Sequence, residues 1–231
     1  MEREYYRRRD TRDHHDLDER QESENIVKTY PSISYATECN VPIVAFDKLD
    51  GSNIRAEWTS KKGWHKIGTR NRLLDAMDPV FGKVPVILEN GIGPSLGRTL
   101  SKLGHDRVMC FFEFHGPGSF AGMHKANEEQ ILTLIDVAPF KQGIMMPDKF
   151  LEQFGHLNIP KVLWFGVVDD EFIVKVRESM LPEMTFEGVV CKGTNNKKTK
   201  MPIMFKQKSK AWLDKLKIHC GDNKDLFNVL K

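Results

Sequence analysis

Residues 46–55 read FDKLDGSNIR, the point where an apolar run, Ile43-Val44-Ala45-Phe46, gives way to a lysine between two acids and then a Gly-Ser-Asn turn. Taken alone, the stretch describes a strand that stops, because Asp-Gly is a common turn signal and lysines at strand ends are usually solvated. A second reading is chemical. A lysine amine with a pKa of about 10.4 is protonated at neutral pH, so a nucleophilic Lys48 needs a strand-end position, partial desolvation and neighbouring cations that lower its pKa.

The rest of the chain bounds what that lysine can serve. At 231 residues and 40% hydrophobic, the chain can bury one large core, with appendages but no second full domain. No run approaches the roughly eighteen apolar residues of a membrane span. The amino-terminal MEREYYRRRD lacks a signal peptide's apolar stretch, so a soluble, intracellular protein with no membrane partner is expected. Cys39, Cys110, Cys191 and Cys220 are scattered, and the histidines form no ligand spacing, so neither a disulfide framework nor a zinc site is expected.

The net charge of +3 hides an asymmetry. Residues 1–24 hold six Lys/Arg and nine Asp/Glu with little apolar mass, and read as a charged amino-terminal extension. The body, residues 25–231, is basic, and its densest patch is 192–217, with nine lysines against one aspartate. Such a patch suits a polyanion, with salt-sensitive affinity from counterion release.

Short strand-like segments recur with few long amphipathic helices. Residues 43–48, 54–58 and 64–68 read as strands, the last two joined as a hairpin, and so do 108–114, 131–137, 162–168, 188–192 and 203–205. Short helices are expected at 71–77, 95–104, 147–156, 170–180 behind an Asp169 cap, and from Ser209 to about 218. The fold class is therefore α+β, built on antiparallel sheets. A P-loop is absent from the sequence. GIGPSLG (91–97) and GPGSFAG (116–122) miss the dinucleotide spacing by one residue, and their prolines mark loops.

If the electrophile is a nucleotide α-phosphate, the site also needs cations for the non-bridging oxygens, carboxylate-held Mg²⁺ and a platform for the base. Lys206 and Lys208 in FKQK sit at alternate positions, so in a strand both point to one face. Glu113 and Glu187 are acids in otherwise apolar strands, either exposed at an end or buried for a purpose. Arg70 follows a hairpin that returns it toward Lys48.

In this order the segments resemble the covalent nucleotidyltransferases, the group of ATP-dependent DNA and RNA ligases and messenger-RNA capping enzymes. Lys48-Leu49-Asp50-Gly51-Ser52-Asn53 resembles their motif I, FFEFHG motif III, ILTLIDV motif IIIa, FEGVVCKG motif IV and MFKQK motif V, over roughly residues 30–210. Asn53, five residues after the lysine, is similar to the asparagine of nick-sealing RNA ligases, where DNA ligases and capping enzymes typically carry arginine. The spacing from Lys48 to Arg70 and Glu113 is similar to the RNA ligase 2 type, and TYPSI (29–33) resembles the segment that brings a tyrosine, here Tyr30, near the nucleotide. One departure is Ile135, which stands where motif IIIa usually presents an aromatic ring to adenine.

The resemblance implies a ligase adenylation domain of ATP-grasp-like architecture, with no separate carboxy-terminal domain, acting as a monomer on RNA ends or nicked duplex. Its implied cofactors are ATP and Mg²⁺, with Mn²⁺ as a substitute. Lys48 would carry AMP as a phosphoramidate, and Lys206 and Lys208 would neutralise the α-phosphate. Glu187, with Glu113 and Asp50, would hold the metal. Tyr30, Asp47, Asn53, Arg70, Glu113, Ile135 and Glu187 would surround the nucleotide. Further grip on duplex would come either from the 192–217 lysines and the charged amino-terminal extension or from an accessory protein or RNA-binding partner. A minimal DNA ligase of the same fold and a non-catalytic nucleic-acid-binding module are the competing readings, and a capping enzyme would require GTP.

Overall fold

The computed structural model describes residues 28–35, 39–75, 77–194 and 201–231; the charged extension and part of the 192–217 lysine patch lie outside them. In chain order the elements are β1 (Ser34–Tyr35), β2 (Cys39–Asp47), β3 (Gly51–Thr59), β4 (Gly63–Thr69), α1 (Val84–Asn90), α2 (Gly93–Lys102), β5 (Arg107–His115), β6 (Ile131–Pro139), α3 (Pro147–Phe154), β7 (Val162–Val168), α4 (Asp170–Arg177), β8 (Gly188–Gly193), β9 (Ile203–Lys208), α5 (Lys210–Cys220) and α6 (Lys224–Leu230). They build two sheets, of order β1-β9-β8-β2-β7 and β4-β3-β5-β6. Every named pairing is antiparallel except that of β1 with β9, so the expected α+β class holds.

Strand alternation decides what each face carries. On β5, Val108, Cys110, Phe112 and Phe114 join the core packed under the helices, while Met109 and Phe111 enter a second cluster with Tyr30 and Ala138. Glu113 keeps the phase of that second face, and Asn53 on β3 is its registered partner. On β8, Val189 and Cys191 pack toward α4 with Ile43 and Ala45 of β2, while Val190 and Lys192 line the cleft on the other face. Val44 and Phe46 alternate the opposite way and meet the first core, carrying the phase to Lys48.

Three features depart from the sequence expectations. Asp50-Gly51 makes no turn: β2 and β3 belong to different sheets, and Lys48-Leu49-Asp50 crosses between them. The described residues of 71–77 form no helix, because Leu73 bridges Gly68 and Thr69 N–H bonds back to Arg72 O at 2.9 Å. Lys206 and Lys208 belong to β9, which runs past 205 to 208. Helices α1 and α6 are additions, each of seven residues and too short to show a periodic stripe. The expected caps are present: Asp169 accepts from Phe172 N–H at 2.8 Å and Ser209 from Trp212 N–H at 3.1 Å. Among the described residues no helix is long and apolar enough to cross a membrane.

Two glycines are required by close approach. A Cβ on Gly51 would stand 2.3 Å from Phe114 O, and one on Gly188, at φ +132, would stand 2.2 Å from Gln207 O. They flank the crossing segment and Glu187, so the chain there is as tight as its backbone allows. In the core, Phe112 is fully buried against the helices. Phe112→Ala should cost about 3–5 kcal/mol, read as a lowered urea midpoint with an unchanged slope.

Candidate active site

A cleft of about 740 Å³ opens between the two sheets, within the size range of small-molecule sites. Tyr30, Asp47, Lys48, Asn53, Arg70, Glu113, Ile135, Val190, Lys192 and Lys206 are among its walls.

Lys48 stands on the crossing between the sheets. Its N–H bonds to Gly188 O at 2.8 Å, which ties the motif to the start of β8. Its ammonium lies 3.0 Å from Glu187 Oε1. Burial pulls the Lys48 pKa down, but Glu187, with Glu113 and Asp50 behind it, outweighs burial and holds the ammonium above its ordinary value. The expectation that neighbouring cations keep this amine neutral is corrected: the nearest charge is a carboxylate, and it favours the proton.

Lys208 reaches the same Glu187 oxygen, also at 3.0 Å, from the far side. It is buried under the Trp212 ring, and burial lowers its pKa to about 8 against the attraction of Glu187. It does not line the cleft, whereas Lys206, two residues earlier, does. Arg70 is on the exposed rim, and its charge is felt at Glu113, Tyr30 and Lys206. Burial pushes the Glu113 carboxyl up to about 7, opposed by Lys48 and reinforced by Glu187.

Asp50 is placed elsewhere. Its Oδ2 accepts from Ala121 N–H at 2.6 Å and its Oδ1 from the Trp212 indole at 3.2 Å, so its carboxylate braces the 116–130 loop and α5. Asp47 is buried, and its Oδ1 accepts from Thr185 N–H at 2.9 Å while Oδ2 has no hydrogen-bond partner. Among the described residues no three His, Cys, Asp or Glu groups gather closely enough to form a protein cage for a metal. The remaining donors are hard oxygens: Glu187, Glu113 and the buried Asn53 Oδ1, which lacks a partner. One or two carboxylates beside a lysine-lined cleft fit Mg²⁺ or Mn²⁺, which keeps most of its waters, better than Ca²⁺ or Zn²⁺.

The sequence reading missed a buried triad at the cleft wall. The β5–β6 register shifts between Phe111 and Phe112, and the extra residue is Ile135, so Ile135 lines the cleft while Asp136 turns inward opposite Phe111. Asp136 accepts from Tyr30 Oη at 2.5 Å and pairs with Lys192 at 2.7 Å. Lys192 also donates to Ile135 O at 2.7 Å and lies 4.9 Å from the Phe46 ring centroid. Burial raises the Asp136 and Tyr30 pKa values and lowers that of Lys192. The signal that singled out Glu113 and Glu187, a charge in an apolar strand, applies equally to both.

The chain has the fold seen in several solved ligases. An archaeal ATP-dependent RNA ligase matches with a TM-score of 0.59 at 13% identity over 87% of this chain and 55% of its own. An Aquifex aeolicus protein assigned as an ATP-dependent DNA ligase matches at 0.59 and 18%, over 87% and 56%. A Naegleria gruberi RNA ligase variant with ATP and Mn matches at 0.53 and 16%, over 83% and 60%. The chain thus spans 55–60% of the length of these ligases. No family model and no curated protein matches the sequence.

Two measurements check the electrostatics. Lys192→Met should cost about 3–5 kcal/mol by stranding Asp136, and Lys192→Met/Asp136→Asn should cost less than the single change, in urea melts of all three chains. An acid with a folded pKa of about 7 against an ordinary 4.5 binds more protons folded than unfolded between those values. Its contribution therefore makes stability fall as pH rises through that window, and Glu113→Gln should flatten this limb when the urea midpoint is followed against pH in chelator. The two-sheet fold around this cleft is that of ligase nucleotidyltransferase domains.

Proposed function

We propose that this protein is an ATP-dependent polynucleotide ligase that joins a 3′-hydroxyl to a 5′-phosphate, with RNA on the 3′-hydroxyl side. The observation that carries the reading is Lys48, half-buried at the wall of the cleft with Glu187 at 3.0 Å and Lys206 lining the same cleft. In this reading Lys48 Nζ, once deprotonated, attacks the α-phosphorus of ATP. The Pα–O bond breaks, pyrophosphate leaves with the bonding pair, and the amine's remaining excess proton goes to solvent. The lysyl adenylate is then attacked by a 5′-phosphate oxygen, and the P–N bond breaks as Lys48 recovers a proton. Attack by the 3′-hydroxyl oxygen on the activated 5′-phosphorus breaks the P–O bond to AMP, which leaves with the bonding pair, and the hydroxyl proton passes to solvent as the phosphodiester forms.

The residues divide the work by position. Glu187 holds the proton on Lys48 until its charge is diverted, and Lys206, at the cleft wall, faces the negative charge that grows on the α-phosphate, with Lys208 behind it across Glu187. Glu187, Glu113 and Asn53 would hold a divalent cation, which when bound balances phosphate charge and lessens the pull of Glu187 on the ammonium. Ile135 and Val190 line the cleft with aliphatic surface, which holds a purine by dispersion. The fold shared with archaeal and Naegleria RNA ligases supports a ligase, and Asn53 supports RNA over DNA through the resemblance of motif I.

The test is direct. Incubated with Mg²⁺ and α-labelled ATP, the protein should acquire covalent label, and Lys48→Arg should acquire none while melting at the wild-type temperature. Chasing the adduct with nicks carrying ribose or deoxyribose at the 3′-hydroxyl should seal the ribose nick faster, since the 2′-hydroxyl is what distinguishes the two. A Lys48→Ala protein that still takes label would sink the assignment, and equal sealing of both nicks would remove the RNA preference.

A further inference from the structure

The five-stranded sheet ends on β7, which pairs with β2 along one side. Among the described residues no backbone group of 162–168 bonds to anything beyond β2, so the other side of the strand is a row of open donors and acceptors. Natural sheets guard such an edge with a charge, a proline or a covering helix. VLWFGVV has neither charge nor proline over its seven residues. Helix α4 covers a face of the sheet, through Phe172 on Trp164, and makes no backbone bond to β7. The bulge at Leu163 bends the start of the strand but leaves Trp164, Phe165 and Gly166 in regular register with β2.

The side chains on this edge are apolar and open. Phe165 is 68% exposed and Val167 42%, although the neighbouring Val168 is buried. Both lie on the cleft face of the sheet, because Phe165 registers with Val44 and Val44 with Lys192. A phenyl and an isopropyl group side by side along unpaired backbone form a strip that association would remove from water.

Charge selects the partner. Lys161 precedes the strand and Asp169, Asp170 and Glu171 follow it, all four exposed. A strand that is basic at its start and acidic at its end is complementary to itself reversed. In an antiparallel pair centred on Phe165, that ring faces its own copy, Trp164 faces Gly166, which leaves room for the indole, and Lys161 faces Asp169 of the second copy. Lys161 already holds Glu183 at 2.8 Å, so its ammonium would then lie between two carboxylates.

We propose that β7 pairs with β7 of a second copy of this chain, antiparallel and about a two-fold axis at Phe165, joining two five-stranded sheets into one of ten. The axis stands normal to the sheet, so both clefts open on the same side of it. This dimer replaces the monomer that the ligase resemblance implies, and it stands independently of the ligase reading. One strand pair is small beside an obligate interface, which sets the dissociation constant at about 10 µM.

The experiment is sedimentation velocity across about 1–200 µM protein, where wild type should pass from monomer to dimer. Phe165→Lys and Phe165→Glu each set like charges face to face on the axis, and each should stay monomeric while melting at the wild-type temperature. Mixed in equal amounts they set Lys against Glu, and the dimer should return. Phe165→Cys should oxidise to a covalent dimer, since directly opposed Cα atoms stand about 4.5–5.5 Å apart. Val167→Cys, its two copies about 13 Å apart along the strands, should not, with oxidised wild type as the control for the native cysteines. A wild type that stays monomeric throughout would overturn the proposal, and slow exchange of the 162–168 amides in that monomer would show the chain's own residues covering the edge. A dimer that survives both charged changes, or a Lys/Glu mixture that stays monomeric, would also overturn it.

Discussion

One oxygen atom, Oε1 of Glu187, faces two ammonium groups at 3.0 Å, Lys48 from the crossing segment and Lys208 from the end of β9. A single carboxylate cannot neutralise both, and the chain resolves the imbalance by position. Lys208 is buried beneath Trp212, where desolvation disfavours its charge, so the anion's pull falls mainly on Lys48. The arrangement favours the protonated form of Lys48 and makes loss of its proton depend on what else competes for Glu187.

The backbone around this oxygen is correspondingly constrained. Glu187 O accepts from Ser209 N–H at 2.9 Å, and the Ser209 hydroxyl donates to Phe186 O at 2.6 Å while capping α5. Gly188, with no room for a side chain, passes directly over Gln207. Asp50 fastens the other side through Ala121 and Trp212. Motif residues that resemble a catalytic roster in sequence therefore divide into two kinds in space. Lys48, Glu113, Glu187 and Lys206 present charge to the cleft or to each other, whereas Asp47 and Asp50 use theirs to hold loops.

Much of this was legible in the sequence because strand periodicity is two, so the phase of one apolar run predicts where its charged members point. Phe112 and Phe114 inward puts Glu113 on the opposite face, and the same rule places Lys206 with Lys208. Where the pattern is broken, it misled. The Asp50-Gly51 pair has the composition of a turn, but tertiary pairing of β2 with β8 and β7 makes the chain cross between sheets there instead. The bulge at Ile135 shifts the phase of β6 by one, so counting along ILTLIDV cannot show that Asp136 meets Tyr30 and Lys192. Helix α6 has a good cap in Asn223 but no apolar stripe, and its contribution to the cleft wall depends on a long-range contact with Tyr35 that no local pattern encodes.

The crossing of Lys48-Leu49-Asp50 from one sheet to the other has a mechanical meaning. Each sheet is a stiff plate, and the three residues are a strap stretched across the seam between them, riveted at one end by Gly188 O and at the other by Ala121 and Trp212. Any relative tilt of the plates is delivered to the strap, and hence to the amine it carries.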